Sequence, residues 1–379
     1  MASMFRLPYR LSRQLFSWRP FFQRPASPVR DFSQVNFPLL DSTEKLEEET
    51  LSWYLPDGFY PVRIGEVFQS RYQVIGKLGF GGYSTIWLCR DLQQHAYVTL
   101  KVFECDSAEG KRETEVYEHL NSLRADHAGR TLVRKALDSF QITAGQDSFR
   151  CLKKIVKLTL IHVLLAIEFL HTEAGVIHTD IQEKNIMLGI DDPSILPDFE
   201  EEEKPNASPR KVVEHRVIYA SRKLKKTKQH GRPTLCDFGQ ARMGSILTPG
   251  KFNLIFTADI WNIGVLTWDL FQQGHLFYAR DSERRDSDAH HLAELIAIFG
   301  PPPKEMLQRS VYAAEFFDSE GNWKAAAEIP PISLEKLEGN LEGAPQQLFL
   351  QFLRRMLKWR PEERESASDL LCDPWLQSP

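Results

Sequence analysis

Cysteine is scarce in this sequence, and it does not cluster. The 379 residues hold 5 cysteines, Cys89, Cys105, Cys151, Cys236 and Cys372, and no two of them form a C-x-x-C pair. That spacing argues against a disulfide framework or a zinc site and fits a reducing compartment. Long apolar runs are also missing. The strongest, near Leu158 to Leu170, is interrupted by His162 and Glu168 and is too short and too polar at its edges to cross a membrane. Charge of one sign is not in excess, since the net charge is -4 at pH 7. The chain as a whole therefore has no electrostatic bias toward DNA or a membrane surface. Locally the picture differs. Residues 1 to 30 contain no Asp or Glu but carry Arg6, Arg10, Arg13, Arg19, Arg24 and Arg30 among serines and aromatics. This composition resembles a mitochondrial presequence, and a basic tail on a cytoplasmic or nuclear protein reads the same way.

What is present is ordinary for a globular protein: 42% of residues are hydrophobic and 26% charged, enough for one large domain or two moderate ones. Residues 1 to 60 read as a tail, basic and then acidic at Glu44, Glu47, Glu48 and Glu49. From Tyr72 the pattern changes. Tyr72 to Ile75, Thr85 to Leu88 and Tyr97 to Leu100 are rich in branched and aromatic residues and read as strands. Residues 111 to 124 read as a helix with Val116, Leu120 and Leu123 on one side, and 131 to 152 as strand and loop. Residues 153 to 171 form the clearest helix, apolar at most positions and therefore buried on several sides. A charged segment, 191 to 232, follows. Its acidic run is Glu200 to Glu203, and between Arg210 and Arg232 it has nine Lys or Arg against one Glu. It reads as a flexible surface insert with little fixed core. Aromatic residues for base stacking are nearly absent from it, Tyr219 apart, which argues against nucleic-acid binding. A helix over about Thr257 to Gln272 and several more up to Trp375 complete a strand-rich first part and a helical second part.

Chemistry-bearing motifs run through this frame in order. Gly79-Phe80-Gly81-Gly82-Tyr83-Ser84-Thr85-Ile86 lies between two predicted strands, where glycines let backbone approach phosphate oxygens. Taken alone, the cluster suits a plain hairpin turn equally well. No Gly-Lys-Ser/Thr follows, and a strand comes next where a dinucleotide site needs a helix. Lys101, inside Val98-Thr99-Leu100-Lys101-Val102, is costly unless its ammonium meets a partner. It either snorkels at a strand edge or reaches the phosphates of ATP, with Glu115 on the next helix as counter-ion. His178-Thr179-Asp180-Ile181-Gln182-Glu183-Lys184-Asn185 has the spacing of a protein-kinase catalytic loop: Asp180 as base for a hydroxyl, Asn185 as metal ligand. Asp237-Phe238-Gly239 adds a second metal ligand. Each piece alone has a bland alternative; five in the correct order do not.

The stretches Leu78 to Leu88, Phe169-Leu170-His171-Thr172-Glu173, Val176-Ile177-His178-Thr179-Asp180, Asp259-Ile260-Trp261, Trp268-Asp269-Leu270-Phe271, His275-Leu276-Phe277, Phe299-Gly300-Pro301-Pro302-Pro303 and Pro361-Glu362-Glu363-Arg364 resemble the SR-protein kinases, especially short fungal members. The resemblance covers roughly residues 50 to 379 apart from the insert. It implies an α+β, bilobal kinase fold over 61–379, with a small β-rich lobe at 61–152 and a helical lobe at 153–379. It also implies a monomer that uses ATP and Mg²⁺ and phosphorylates serines of Arg/Ser-rich proteins. Leu78, Gly79, Gly81, Gly82, Ser84, Ile86 and Lys101 would contact the nucleotide, Asn185 and Asp237 the metals. Arg-rich substrates need an acidic docking surface, for which Glu200 to Glu203 is the candidate here.

Several departures bear on activity. Gln182 stands where the catalytic loop usually has Lys, replacing a charge by an amide. Thr179 stands in place of the usual Arg, which argues against a switch by activation-loop phosphorylation. The chain passes from Phe149-Arg150-Cys151-Leu152 directly to Lys153, with no hinge of the kind that binds adenine. After Met243 only a short segment precedes Asp259, with no Ala-Pro-Glu, so Arg364 lacks its expected acidic partner. A catalytically impaired scaffold, or a truncated splice or gene-model product, is the alternative expectation.

Overall fold

A computed structural model describes residues 26–137, 153–214, 216–225, 230–244, 252–272 and 274–378. Four strands, β1 (Val67–Phe68), β2 (Tyr72–Gly81), β3 (Ser84–Asp91) and β4 (Ala96–Phe103), form an antiparallel sheet in sequential order. The register places Gly79 opposite Ile86 and Ile86 opposite Lys101, so the glycine-rich strand and the lysine share one row across the sheet. At the opposite end, Arg71 forks onto Asp91, and the Asp91 carboxylate also accepts the amides of Gln93 and Gln94. Helix α1 (Ala108–Ser122) follows, its first turn capped by the Ser107 hydroxyl, which accepts from the Gly110 amide at 3.2 Å. Glu113, Val116 and Leu120 recur at helical spacing and are all buried.

The second lobe is mostly helical. Helix α2 (Lys153–Phe169) runs into a wider turn, Leu170–Ala174, and stops at Gly175, whose φ of 63° is the left-handed conformation glycine adopts freely. There follow β5 (Val176–Ile177), β6 (Ile186–Leu188), α3 (Ile195–Glu202), the hairpin β7 (Arg210–Val213) and β8 (Arg216–Tyr219), β9 (Pro233–Leu235) and β10 (Arg242–Met243). Strand β5 pairs with β10, and β6 with β9. The remainder comprises α4 (Phe252–Gln272), α5 (Asp288–Phe299), α6 (Lys304–Arg309), α7 (Ala313–Phe316), α8 (Leu334–Leu337), α9 (Gly343–Met356), α10 (Ala367–Leu371) and α11 (Pro374–Gln377). Leu164 and Ile167 of α2, Ile263 of α4 and Phe349, Phe352 and Leu353 of α9 form the centre of the core. Trp375 closes it, stacked near Phe349 and Phe352 with centroids 5.0 Å from each. No described helix is long and apolar enough to cross a membrane.

Two expectations about organisation need correction. Residues 26 to 60 do not trail as a tail. Phe32 and Phe37 are buried against β2, and Glu48 meets the fully buried Lys77 at 2.5 Å. The segment 191 to 232 is likewise more than a loose charged insert. Its helix α3 and its β7–β8 hairpin bury Phe199 and Tyr219 in the small-lobe cluster with Val74, Ile75 and Trp87. At Gly76 a Cβ would lie 2.8 Å from Phe199, so only glycine on β2 lets the α3 ring lie so close. The physical reason the insert looked unstructured is that its charges are matched by partners distant in sequence, within it and in residues 47 to 60. Lys211 pairs with Glu49, Arg222 with Glu203, and Lys225 with Glu202 and Asp198, while Arg216 donates to the Phe59 carbonyl. Two of the four residues of the acidic run suffer the same reversal. Glu200 and Glu203 are buried, held by Arg30, Tyr97, Ser208 and Arg222, and do not present a docking surface. Both segments cover the outer face of β2, which is why Tyr72 to Lys77 are buried on consecutive positions rather than alternate ones.

Candidate active site

The catalytic loop is anchored from α4. Asp259, fully buried, accepts the amides of His178 at 2.9 Å and Thr179 at 2.7 Å and meets His171 Nε2 at 2.9 Å. Thr179 has a φ of 66°, a left-handed conformation that a β-branched residue enters only under strain. The Asp259 carboxylate holds it there, and the Thr179 hydroxyl donates to the Gln240 carbonyl at 2.8 Å. Each charge-assisted bond of this kind contributes roughly 1.5–3 kcal/mol, enough to offset the strain. Thr179 thus ties the loop to the segment after Asp-Phe-Gly by a neutral hydrogen bond. His178 Nε2 donates to the Cys236 carbonyl at 3.1 Å, and its Nδ1 accepts the Asp180 amide at 3.3 Å.

Asp180 is oriented through both carboxylate oxygens. Gln182 Nε2 donates to Oδ1, and Asn185 Nδ2 donates to Oδ2 at 2.9 Å. The amide of Gln182 therefore fixes the candidate base, although it supplies no cationic charge. Asn185 is buried, and its Oδ1 finds no hydrogen-bond donor. Its backbone carbonyl accepts the Cys236 amide at 2.9 Å, which sets Asn185 beside Asp237. An orphaned amide oxygen next to a carboxylate suits a hard cation that takes its remaining oxygens from phosphate and water. Asp237 also has a left-handed φ of 66°.

Lys101 Nζ reaches Asp237 Oδ1 at 3.1 Å and Glu113 Oε2 at 2.8 Å. Burial alone would lower the pKa of its ammonium, but the two carboxylates outweigh burial and hold it above the ordinary lysine value. The counter-ion is thus Glu113, not Glu115. Glu115 lies on the exposed side of α1, whereas Glu113 lies three residues before Val116 on the buried face. Stepping one turn, three positions, back from Val116 along the buried face would have found it. Arg112 on the same helix donates to the Gly239 carbonyl at 2.6 Å, and Phe238 packs against Tyr117 and His178 with centroids 5.3 and 4.9 Å away. Helix α1 is thereby bound to the Asp-Phe-Gly segment directly through Arg112 and Tyr117, and through Lys101 from Glu113. Leu78, Gly79 and Gly81 lie on β2, Ser84 and Ile86 on β3, and Gly82 in the turn between them.

Arg364, expected to want an acidic partner, is served by carbonyls. Its Nη1 donates to Thr257 and its Nε to Lys358, each at 3.0 Å, and its guanidinium lies 4.8 Å from the centre of the Trp261 ring. Burial lowers its pKa to about 10. The expected hinge gap at 149–153 falls largely on residues 138–152, which lie outside the described residues, as do 1–25 of the presumed targeting segment and 245–251 after Met243.

Two lobes meeting at a lysine–carboxylate contact, with a glycine-rich hairpin above and an Asp…Asn loop below, define a protein kinase fold. Comparison with solved structures agrees. A crystal structure of a kinase domain matches with a TM-score of 0.59 at 20% identity, covering 84% of this chain and 99% of that one. No family model matches the chain. A serine/threonine protein kinase of Aspergillus fumigatus is 41% identical over 406 residues, spanning 97% of this chain and 98% of the relative. The chain belongs to the serine/threonine protein kinases of this fungal group, which are related to the SRPK kinases. The serine/threonine-protein kinase SRPK of Physarum polycephalum is 24% identical over 87% of this chain and 91% of its own length, and human SRSF protein kinase 3 is 24% identical over 93% of each. The 406-residue alignment exceeds the 379 residues of this chain, so segments of the Aspergillus relative have no counterpart here.

Proposed function

We propose that this chain transfers the γ-phosphoryl group of ATP, bound with Mg²⁺, to serine hydroxyls of Arg/Ser-rich proteins. The observation that carries the reading is the convergence of Lys101 and Asp237 from opposite lobes at 3.1 Å, beside the orphaned Asn185 Oδ1. Lys101, held by Glu113, would contact nucleotide phosphate. Asn185 and Asp237 would hold Mg²⁺, which supplies charge neutralisation at the phosphates. Asp180, fixed by Gln182 and Asn185, would orient the serine hydroxyl and accept its proton. Such a site works by positioning and electrostatics rather than covalent chemistry. The choice of Arg/Ser-rich substrates rests on the relation to the SRPK kinases, one of which is named an SRSF protein kinase. The test is phosphate transfer from ATP to an Arg-Ser peptide, abolished by Asp180→Asn. Transfer that survives this substitution refutes the assignment.

A second reading, a non-catalytic scaffold, is favoured by one observation: Arg364 is bound by carbonyls where a substrate-holding segment would supply a carboxylate. Absence of transfer with retained MgATP binding supports it. For compartment we propose cytoplasm or nucleus, with mitochondrial import as the alternative outcome when residues 1–30 are fused to a fluorescent protein. We further propose a monomer, to be checked by light scattering.

A further inference from the structure

The tip of the glycine-rich hairpin is fastened by a segment that contributes none of the catalytic motifs. Strands β2 and β3 end at the Gly81–Ser84 pair, leaving Gly82 and Tyr83 as a two-residue turn. Trp53 Nε1 donates to the Gly82 carbonyl at 3.0 Å. The Trp53 ring stacks on Tyr83, with centroids 6.1 Å apart and planes inclined by 29°. Both rings stay substantially exposed, Trp53 at 49% and Tyr83 at 41%. Hydrophobic burial is therefore a poor account of the pairing; what the contact does is fix the turn.

The segment that carries Trp53 is itself anchored on both sides. Upstream, Glu48 meets the fully buried Lys77 of β2 at 2.5 Å, and Glu47 accepts the Ser221 amide at 3.0 Å. Downstream, the Gly58 carbonyl accepts the Cys105 amide at 2.8 Å, next to Glu104, whose amide donates to the Tyr83 carbonyl of the turn itself at the same distance. Residues 47 to 58 thus form a strap along the hairpin, from the middle of β2 to its tip. A glycine-rich turn loses much conformational freedom when it closes on phosphate, and a contact that holds it beforehand removes part of that cost.

We propose that Trp53 is a positioning residue for the phosphate-binding turn. It does not touch nucleotide; it acts through Gly82 and Tyr83. The inference deepens the nucleotide reading above and rests on it for the word phosphate, but the clamp itself can be tested without nucleotide.

The experiment uses the full chain with Trp53→Ala and Trp53→Phe, the latter keeping the stack but losing the donor. Amide hydrogen exchange of residues 79 to 84 is measured without ligand, and binding of MgATP and of adenosine by calorimetry. Loss of one hydrogen bond and one aromatic stack predicts about ten-fold faster exchange at the turn and about five- to ten-fold weaker MgATP binding in Trp53→Ala. Adenosine, which lacks phosphates, should bind within about two-fold of wild type, and Trp53→Phe should fall between. Unchanged exchange at residues 79 to 84 overturns the proposal. Equal weakening of adenosine and MgATP also overturns it, because that marks a general structural role. A wild-type chain that binds neither ligand rejects the nucleotide reading and the phosphate role of Trp53 with it, while the exchange result still decides whether the strap holds the turn.

Discussion

Replacing Glu113 by Gln, with Glu115→Gln as its control, is the sharpest test of the site. Glu113 is 3% exposed and bonds Lys101 at 2.8 Å, while Lys101 also holds Asp237 at 3.1 Å. The amide can still accept a hydrogen bond but no longer matches the ammonium charge. Hydrogen bonds to charged groups contribute about 1.5–3 kcal/mol, so Lys101 should lean toward Asp237 by that amount. There it competes with Mg²⁺ for the same carboxylate. The expected result is MgATP binding weakened by about ten- to a hundred-fold in calorimetry. Phosphate transfer should fall at least as far. Glu115 is exposed on the other side of α1, so Glu115→Gln should change binding by less than about 0.5 kcal/mol. Burial pushes the Glu113 carboxyl up, and Asp237 adds to that against the pull of Lys101, so folding itself should tolerate the neutral amide. Thermal melts of both variants check this. Equal effects of the two substitutions, or a harmless Glu113→Gln, would refute the assignment.

Three further outcomes follow from the packing. Phe199→Ala removes the ring seated over Gly76 and should cost about 3–5 kcal/mol, read as release of residues 204 to 232 to limited proteolysis before global melting. Lys77→Met leaves Glu48 buried without its cation and should destabilise by about 3–5 kcal/mol, whereas Lys77→Met with Glu48→Leu should recover most of that loss in a denaturant titration. Asp91 is buried, and burial pushes its carboxyl up; the Arg71 fork and the amides of Gln94 and Gln93 more than offset this and leave its pKa below the ordinary 3.8. A carboxyl that is more acidic when folded stabilises above its unfolded pKa and loses that contribution as the pH falls through its folded value. Wild type should therefore lose stability faster than Asp91→Asn below pH 3.8, and the variant should be weaker at neutral pH by about 1–3 kcal/mol.

The parts of the site legible in the sequence are those set by spacing along the chain. Asp180 and Asn185 are five residues apart, and their mutual hydrogen bond follows from the loop they share. Asp237 was legible because Phe238 and Gly239 follow it. Partners set by rotation or by distant segments were harder. Glu113 and Glu115 differ by two helix positions, which turns a buried face into an exposed one. The role of Asp259 could not be read from its motif, since it depends on α4 meeting residues 171 to 179. The insert misled for a different reason. Composition reports charge but not pairing, and Lys211, Arg222 and Lys225 each find a carboxylate far away or a turn or more distant. Lys77 gave no warning at all: it lies beyond the predicted Tyr72 to Ile75 strand, and its partner Glu48 is 29 residues earlier.

The same placement bears on how the lobes stay in register. The insert leaves the large lobe after β6 and returns to it at β9, the strands that respectively follow Asn185 and precede Asp237. Between those points it packs Phe199 and Tyr219 into the small lobe and bonds the backbone of Lys77 through the Arg222 amide at 2.9 Å. The metal-binding ends of the large lobe are thus tied to the strand that leads into the glycine-rich turn, by a route independent of residues 138 to 152. A mutation that frees the insert should therefore do more than expose it. With β6 and β9 no longer braced to β2, the 3.1 Å contact between Lys101 and Asp237 loses one of its supports. Phe199→Ala, far from any phosphate, should weaken MgATP binding by about three-fold or more, and unchanged binding in a chain whose insert is demonstrably released would show that the brace plays no part in holding the site together.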